Sequence, residues 1–275
     1  LIKRRHVRLF SSNYALYADI SSRVMSLLAE FTPNIETYSI DESFLDLTGI
    51  GFKSPTDYGR RIKKTIWRSA GIPVCVGIGP TKTLAKLANH AAKKWKMTGG
   101  VLDIACPARR EKLMRIVPVE EVWGIGSRTG KRLKQLGIVT ALDLCRQSPD
   151  KMQSLFNVVI ARTVLELNGI SCLSLDEIAP AKQQIVCSKS FKQRITEFDL
   201  LAEALTEFCI RAAEKLRHQQ SAAGAVAVFI RTNPFNSDDP QHQRSASLTL
   251  QNSTQDTRQI IKYARHLLKQ ILKKR

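Results

Sequence analysis

The chain has 275 residues, with 43 Lys and Arg against 24 Asp and Glu, a net charge of +19. That length holds two or three domains with cores of their own, and that charge asks for a polyanionic partner, nucleic acid or an anionic surface. No apolar run approaches the ~20 residues that cross a bilayer, and six cysteines with no C-x-x-C pair exclude a zinc ribbon and argue for free thiols in a reducing cytoplasm.

In chain order, Val7 to Phe10 suits a short strand, and Ala15 to Phe31 suits a helix, with Ile20, Val24, Leu27, Leu28 and Phe31 at helical spacing. Pro33 stops that helix. Ile35 to Ile40 and Phe44 to Leu47 read as a hairpin with Asp41 and Glu42 at its bend. Thr56 to Ser69 follows as a helix and Pro73 to Ile78 as a buried strand. After Gly79-Pro80-Thr81 the spacing predicts a helix over Lys82 to Trp95, then a strand over Val101 to Ile104. Alternating helices and strands point to a mixed layer with a packed sheet.

The run from Val122 to Ile138 carries a Gly-apolar-Gly turn that opens one helix and a Gly137-Ile138 pair that closes it. Short helices over 141–145, 152–156 and 160–167 come next. Ala179 to Lys182 has the composition of a linker. The last segment reads as strand (Ile185 to Phe191), helix (Leu200 to Arg217), strand (Ala225 to Arg231), strand (Ser245 to Leu250) and helix (Thr257 to Leu272). That β-α-β-β-α order lacks one strand of a split βαββαβ layer.

Three features carry chemistry. Asp41 and Glu42 are adjacent acids at a bend, where like charges repel. A hard divalent cation removes that conflict, and magnesium commonly takes one or two carboxylates plus substrate phosphates. A solvated acidic turn is the competing reading. On the helix after Thr81, Lys82, Lys86 and Lys93 fall within roughly 40° of one another, opposite Leu84, Leu87, Ala88, Ala91 and Ala92. Such a row offers ammonium groups to phosphates beside the amides of a helix N-terminus, although any surface helix can show it. The Gly124-Ile125-Gly126 turn is the signature of a helix-hairpin-helix unit, which binds nucleic-acid backbone without reading sequence; a plain interhelical turn is the alternative. Charge distribution supports a polyanion around an acidic centre. Residues 51–119 hold fifteen basic groups against three acidic, and residues 182–275 sixteen against eight. A membrane surface is the weaker partner, because no amphipathic segment rich in large apolar residues accompanies the charge.

Tyr38-Ser39-Ile40-Asp41-Glu42-Ser43-Phe44, then Gly77-Ile78-Gly79-Pro80-Thr81-Lys82-Thr83-Leu84-Ala85-Lys86-Leu87-Ala88-Asn89, then Val122-Trp123-Gly124-Ile125-Gly126, in that order, resemble the Y-family translesion DNA polymerases, in their UmuC-like branch. Phe10 to Asp19 and Cys187-Ser188-Lys189-Ser190-Phe191 extend the likeness over essentially the whole chain. The resemblance implies an α+β fold: a partial palm over 1–105, an all-helical thumb over 106–178, a linker over 179–184 and a little finger over 185–275. It implies error-prone synthesis across damaged DNA in the SOS response. Asp41 and Glu42 would bind two-metal magnesium, and Lys93 the incoming triphosphate. Thr81, Lys82, Lys86, Gly124, Gly126, Thr129, Lys131, Ser188, Lys189, Ser190 and Arg231 would face DNA. The implied partners are a primer-template, a UmuD′-like dimer and a RecA filament. By the family pattern the first metal-binding aspartate, the fingers and a clamp-binding C-terminal tail lie outside this chain, so the chain by itself is expected not to extend primers. A non-catalytic, sequence-independent DNA-binding remnant is the second expectation.

Overall fold

The computed structural model describes residues 12–175, 183–191, 193–236 and 240–273. The expected strand at Val7 to Phe10 and the linker at Ala179 to Lys182 lie outside them. Two compact units divide at Ala179 and Pro180.

In the first unit, helix α1 (Tyr14–Ala29) starts at Asn13, whose side chain accepts the Leu16 amide. It leads into the hairpin of β1 (Ile35–Ser39) and β2 (Glu42–Leu45). The pairing runs Ile35 to Leu45 and Thr37 to Ser43, then shifts so that Ser39 faces Glu42. That bulge falls at Tyr38, and bulges re-aim side chains and tighten twist. Helix α2 (Pro55–Ala70) begins at the Ser54 cap with Pro at its first position and ends on the left-handed Gly71. Its Ile62 and Ile66 bury against Leu28 and Phe31, closing a small core under the hairpin.

Strand β3 (Val76–Ile78) is shorter than the sequence pattern predicts. It pairs in parallel with β4 (Val101–Asp103) through the crossover helix α3 (Lys82–Lys94). Gly77 lets that helix lie almost on the strand, because a Cβ there would stand 2.2 Å from the Asn89 amide nitrogen. Helices α4 (Pro107–Ile116), α5 (Ser127–Gln135), α6 (Ala141–Cys145), α7 (Pro149–Leu155) and α8 (Val158–Leu167) follow. Their apolar faces do not form a core apart from α3. Leu84, Leu87, Ala88 and Ala91 share one cluster with Val117, Leu133, Leu144, Met152, Val164 and Leu167. The apolar stripe of α3 therefore belongs as much to the helices after it as to the sheet before it.

In the second unit, α9 (Phe198–His218) and α10 (Thr257–Lys273) pack on an antiparallel pair, β5 (Ala223–Arg231) and β6 (Gln243–Thr254). The strand predicted over Ile185 to Phe191 does not form among the described residues. Its alternation survives in part: Ile185 packs on the core and Val186 is exposed. Alternation alone does not make a strand, since β structure needs a neighbour for its amides and carbonyls, and β5 and β6 pair with each other. No described helix is long and apolar enough to cross a membrane.

Candidate nucleic-acid and metal site

The β1–β2 bend presents Asp41 and Glu42 at its tip. Asp41 is exposed, and its Oδ1 accepts a hydrogen bond from the Ser39 hydroxyl at 2.8 Å. Glu42 is half-buried, and its Oε1 accepts from Lys86 Nζ at 2.7 Å. Asp19 and Asp46, two other carboxylates in this part of the chain, have separate tasks. Asp19 pairs with Arg23 along α1. Asp46 accepts the Thr48 amide where β2 ends, and the Thr48 hydrogen bonds hold its carboxyl below the usual carboxylate range.

Lys82 and Lys86 of α3 turn toward this hairpin, and the lysines of the helix differ in what they meet. Lys82 forms an ion pair with Glu36 of β1, with side chains 11% and 9% exposed, and its ammonium also donates to the Ser174 carbonyl. Lys86 pairs with Glu42 and lies over the rings of Tyr38 and Trp123, 5.1 and 5.8 Å from their centroids. Lys93, near the far end of the helix, is exposed. The single row of ammonium groups read from the spacing is thus a graded set: one internal, one at the acidic bend, one open to solvent.

Thr81 needs correction as a surface contact. It is 5% exposed, its hydroxyl accepts the Leu84 amide as the α3 cap, and it donates to the Glu166 carbonyl at 2.9 Å. Glu166 was not found from the sequence. It is 1% exposed on α8, and its carboxylate accepts the Thr83 amide at 3.1 Å and the Cys172 amide at 2.6 Å. A carboxylate on the first-turn amides of α3 suits the positive end of a helix. An acid among the apolar residues Val164, Leu165 and Leu167 was the available signal.

Trp123 stands in the motif before the glycine turn, but the sequence reading gave it no role of its own. Its ring lies 5.5 Å from Tyr38 and 5.7 Å from Phe44, and its Nε1 donates to the Tyr38 hydroxyl at 3.3 Å. It binds the acidic hairpin to the glycine turn that follows it directly. In that turn Ile125 is buried, Gly124 takes a left-handed φ of +88°, and Gly126 caps the start of α5. Nothing stands within 4 Å of a Cβ built at Gly124 or Gly126. The turn is therefore open for a phosphate to reach the first amides of α5. On that helix Thr129 is half-buried and Lys131 exposed, whereas Lys134 is held by Glu120 and Arg132 lies over the Phe156 ring. In the second unit Ser188, Lys189, Ser190 and Arg231 are all exposed.

Among the described residues no three His, Cys, Asp or Glu side chains converge on a point that could hold a metal. Asp41 and Glu42 supply two hard oxygen donors at an open bend. That donor set fits magnesium, which takes one or two carboxylates and completes its shell with water and substrate phosphate.

Comparison with known families gives matches along the chain. Models of the impB/mucB/samB family match residues 2–90, of the IMS family HHH motif residues 107–138, and of the impB/mucB/samB C-terminal domain residues 182–275. Protein UmuC of Salmonella typhimurium is 50% identical over 264 residues, covering 95% of this chain and 63% of that protein. DNA polymerase IV of Moorella thermoacetica is 31% identical over 262 residues, covering 92% of this chain and 61% of that protein. The chain thus spans under two thirds of the length of these relatives. Among solved structures, a Y-family DNA polymerase chimera, Dbh-Dpo4-Dbh, superposes with a TM-score of 0.69 over 96% of this chain and 73% of that one, at 24% identity. With its three matched segments in the family's order and its fold shared with these polymerases, the chain belongs to the impB/mucB/samB family, the UmuC-like branch of the Y-family DNA polymerases.

Proposed function

We propose that this chain carries the nucleotidyl-transfer and duplex-gripping parts of a translesion DNA polymerase, with a primer-template as its substrate. The observation that carries the reading is the junction at Trp123. One indole joins the Asp41–Glu42 bend to the open glycine turn, which supports a path for a DNA backbone from Gly124 and Gly126 toward the two carboxylates.

Asp41 and Glu42 would hold magnesium. When bound, the metal supplies charge neutralisation and a more acidic hydroxyl for in-line displacement at phosphorus. The protein's own residues do the rest. Ser39 orients the Asp41 carboxylate, and Lys86 orients that of Glu42. Lys93 contributes its ammonium to the triphosphate. Gly124, Gly126, Thr129 and Lys131 take the duplex backbone through amides, hydroxyl and charge, blind to sequence. Ser188, Lys189, Ser190 and Arg231 hold a second stretch of backbone. Lys86 acts at the bend on Glu42, while Thr81 and Lys82 act inside the protein. The family resemblance adds a UmuD′-like dimer and a RecA filament as partners.

The test is a chimera in which this chain replaces the matching 264-residue segment of the Salmonella UmuC protein, assayed with the accessory dimer and filament present. The chimera should extend primers past an abasic site with Mg2+, and Glu42→Ala should abolish extension while leaving DNA affinity within about twofold. A folded chimera that binds primer-template but extends nothing, beside an active UmuC control, would replace the polymerase reading with DNA binding alone.

A further inference from the structure

The Lys86 ammonium meets two kinds of partner at once. One is Glu42 Oε1 at 2.7 Å. The other is the pair of ring faces of Tyr38 and Trp123, with centroids 5.1 and 5.8 Å away. The rings stand at 88° to each other, joined by the Trp123 to Tyr38 hydrogen bond, and the bulge at Tyr38 turns its ring out of the hairpin's regular register. The Lys86 and Glu42 side chains are only 19% and 27% exposed, so the ammonium has given up much of its water. Ring faces attract a cation without neutralising a carboxylate. They can therefore keep the ammonium in place when its anion is taken by something else.

We propose that Lys86 is an exchangeable counter-cation of Glu42: it neutralises the carboxylate until a divalent cation arrives, and then releases Glu42 while the Tyr38–Trp123 faces, over which it already lies, retain it. The inference rests on the reading that Asp41 and Glu42 bind a divalent cation. Without a metal, two adjacent acids at a bend repel, and Lys86 relieves that repulsion. With a metal on the Glu42 oxygens, an ammonium at ion-pair distance would repel it, and the aromatic seat removes that cost. The lysine thus makes metal binding weaker than the two carboxylates alone would make it, and it keeps their geometry fixed in the meantime.

The full chain is titrated with Mn2+, with the free ion read by electron paramagnetic resonance. Lys86→Met should bind Mn2+ about three- to tenfold more tightly, the scale of a partly buried ion pair that no longer has to be broken. Lys86→Arg should stay within about twofold of wild type. So should Lys94→Met, which removes an exposed charge from the same helix. In a Trp67→Phe, Trp95→Phe background, Trp123 is the one remaining indole. There, Mg2+ should change the emission of Trp123, and Lys86→Met should remove that change. Unchanged or weaker Mn2+ binding by Lys86→Met overturns the exchange and leaves the metal reading standing. So does a Trp123 emission indifferent to Mg2+ in a chain that binds Mn2+, a result that needs no lysine variant to fold. If the wild type shows no saturable Mn2+ uptake that Glu42→Gln abolishes, the metal reading fails and the exchange with it.

Discussion

Lys82 of α3 and Glu36 of β1 form an ion pair whose side chains are about nine-tenths buried. The pair ties the crossover helix to the acidic hairpin and takes Lys82 out of the set of cations facing solvent. Removing one partner of a buried pair leaves a charge that has lost its main compensation, which costs about 3 kcal/mol. Lys82→Met should therefore lower the unfolding free energy of the first unit by about 3 kcal/mol, read by urea denaturation, with Glu36→Gln/Lys82→Met costing less than the single change. DNA affinity measured well below the unfolding midpoint should move less than twofold.

Helical spacing correctly placed Lys82 and Lys86 on one face, opposite Leu84, Leu87 and Ala88. It could not say what that face would meet, because the partners lie more than forty residues away in sequence, at Glu36 and Glu42. The same limit hid the roles of Trp123 and Glu166, which act through contacts 79 to 85 residues apart in the chain. Elements fixed by local rules were legible: the start of α3 after Thr81, the helix from Thr56 to Ser69, the glycine turn before α5. The Ile185 to Phe191 strand failed for the opposite reason. Its pattern was local, but a strand is made by its neighbour.

Gly77 is a point where packing leaves no room. A Cβ would stand 2.2 Å from Asn89 N and 2.3 Å from Ala85 O, both backbone atoms of α3. Helix backbone cannot yield as a flexible side chain can, so Gly77→Ala must push α3 off the strand. The expected cost is at least the ~1–3 kcal/mol of an overpacked core, with α3 amides losing protection in hydrogen exchange. Gly71→Ala, which meets nothing within 4 Å but has a φ of +68°, should cost about 1 kcal/mol through backbone strain alone.

The cysteines should react in an order set by their surroundings. Cys106 is exposed at the start of α4, where the Arg109 and Ala108 amides and the Arg109 charge hold its thiol below the ordinary range. Cys209 is buried in the second unit, and burial, reinforced by Cys187, pushes it up to about 11. Burial also raises Cys145. The thiolate is the nucleophile, so iodoacetamide at pH 7.5 should label Cys106 first and leave Cys145 and Cys209 unlabelled until urea unfolds the chain. The sign for stability follows: a thiol raised in the folded state contributes fully below its ordinary value. The second unit should lose that contribution as pH climbs from the ordinary thiol value toward 11. Cys209→Ala should remove this part of the alkaline loss, and equal labelling of Cys106 and Cys209 at pH 7.5 would contradict the assignment.

Gly126 and Lys131 should weaken DNA binding in different ways. Lys131 is exposed, so its contribution is charge, and each phosphate it neutralises releases counter-ions. Lys131→Met should lower the slope of log affinity against log salt by about 0.9. Gly126 caps α5 with a φ of −77° and open space around its Cα, so alanine fits the fold, at the sub-kcal to ~1 kcal/mol cost of a poorer cap. An added methyl nevertheless stands between the α5 amides and an approaching phosphate. Gly126→Ala should therefore reduce affinity severalfold at every salt concentration with the slope unchanged. Fluorescence anisotropy on a labelled primer-template from 50 to 200 mM NaCl separates the two. If both variants change only the slope, long-range charge alone governs binding, and the glycine turn is not in contact with DNA.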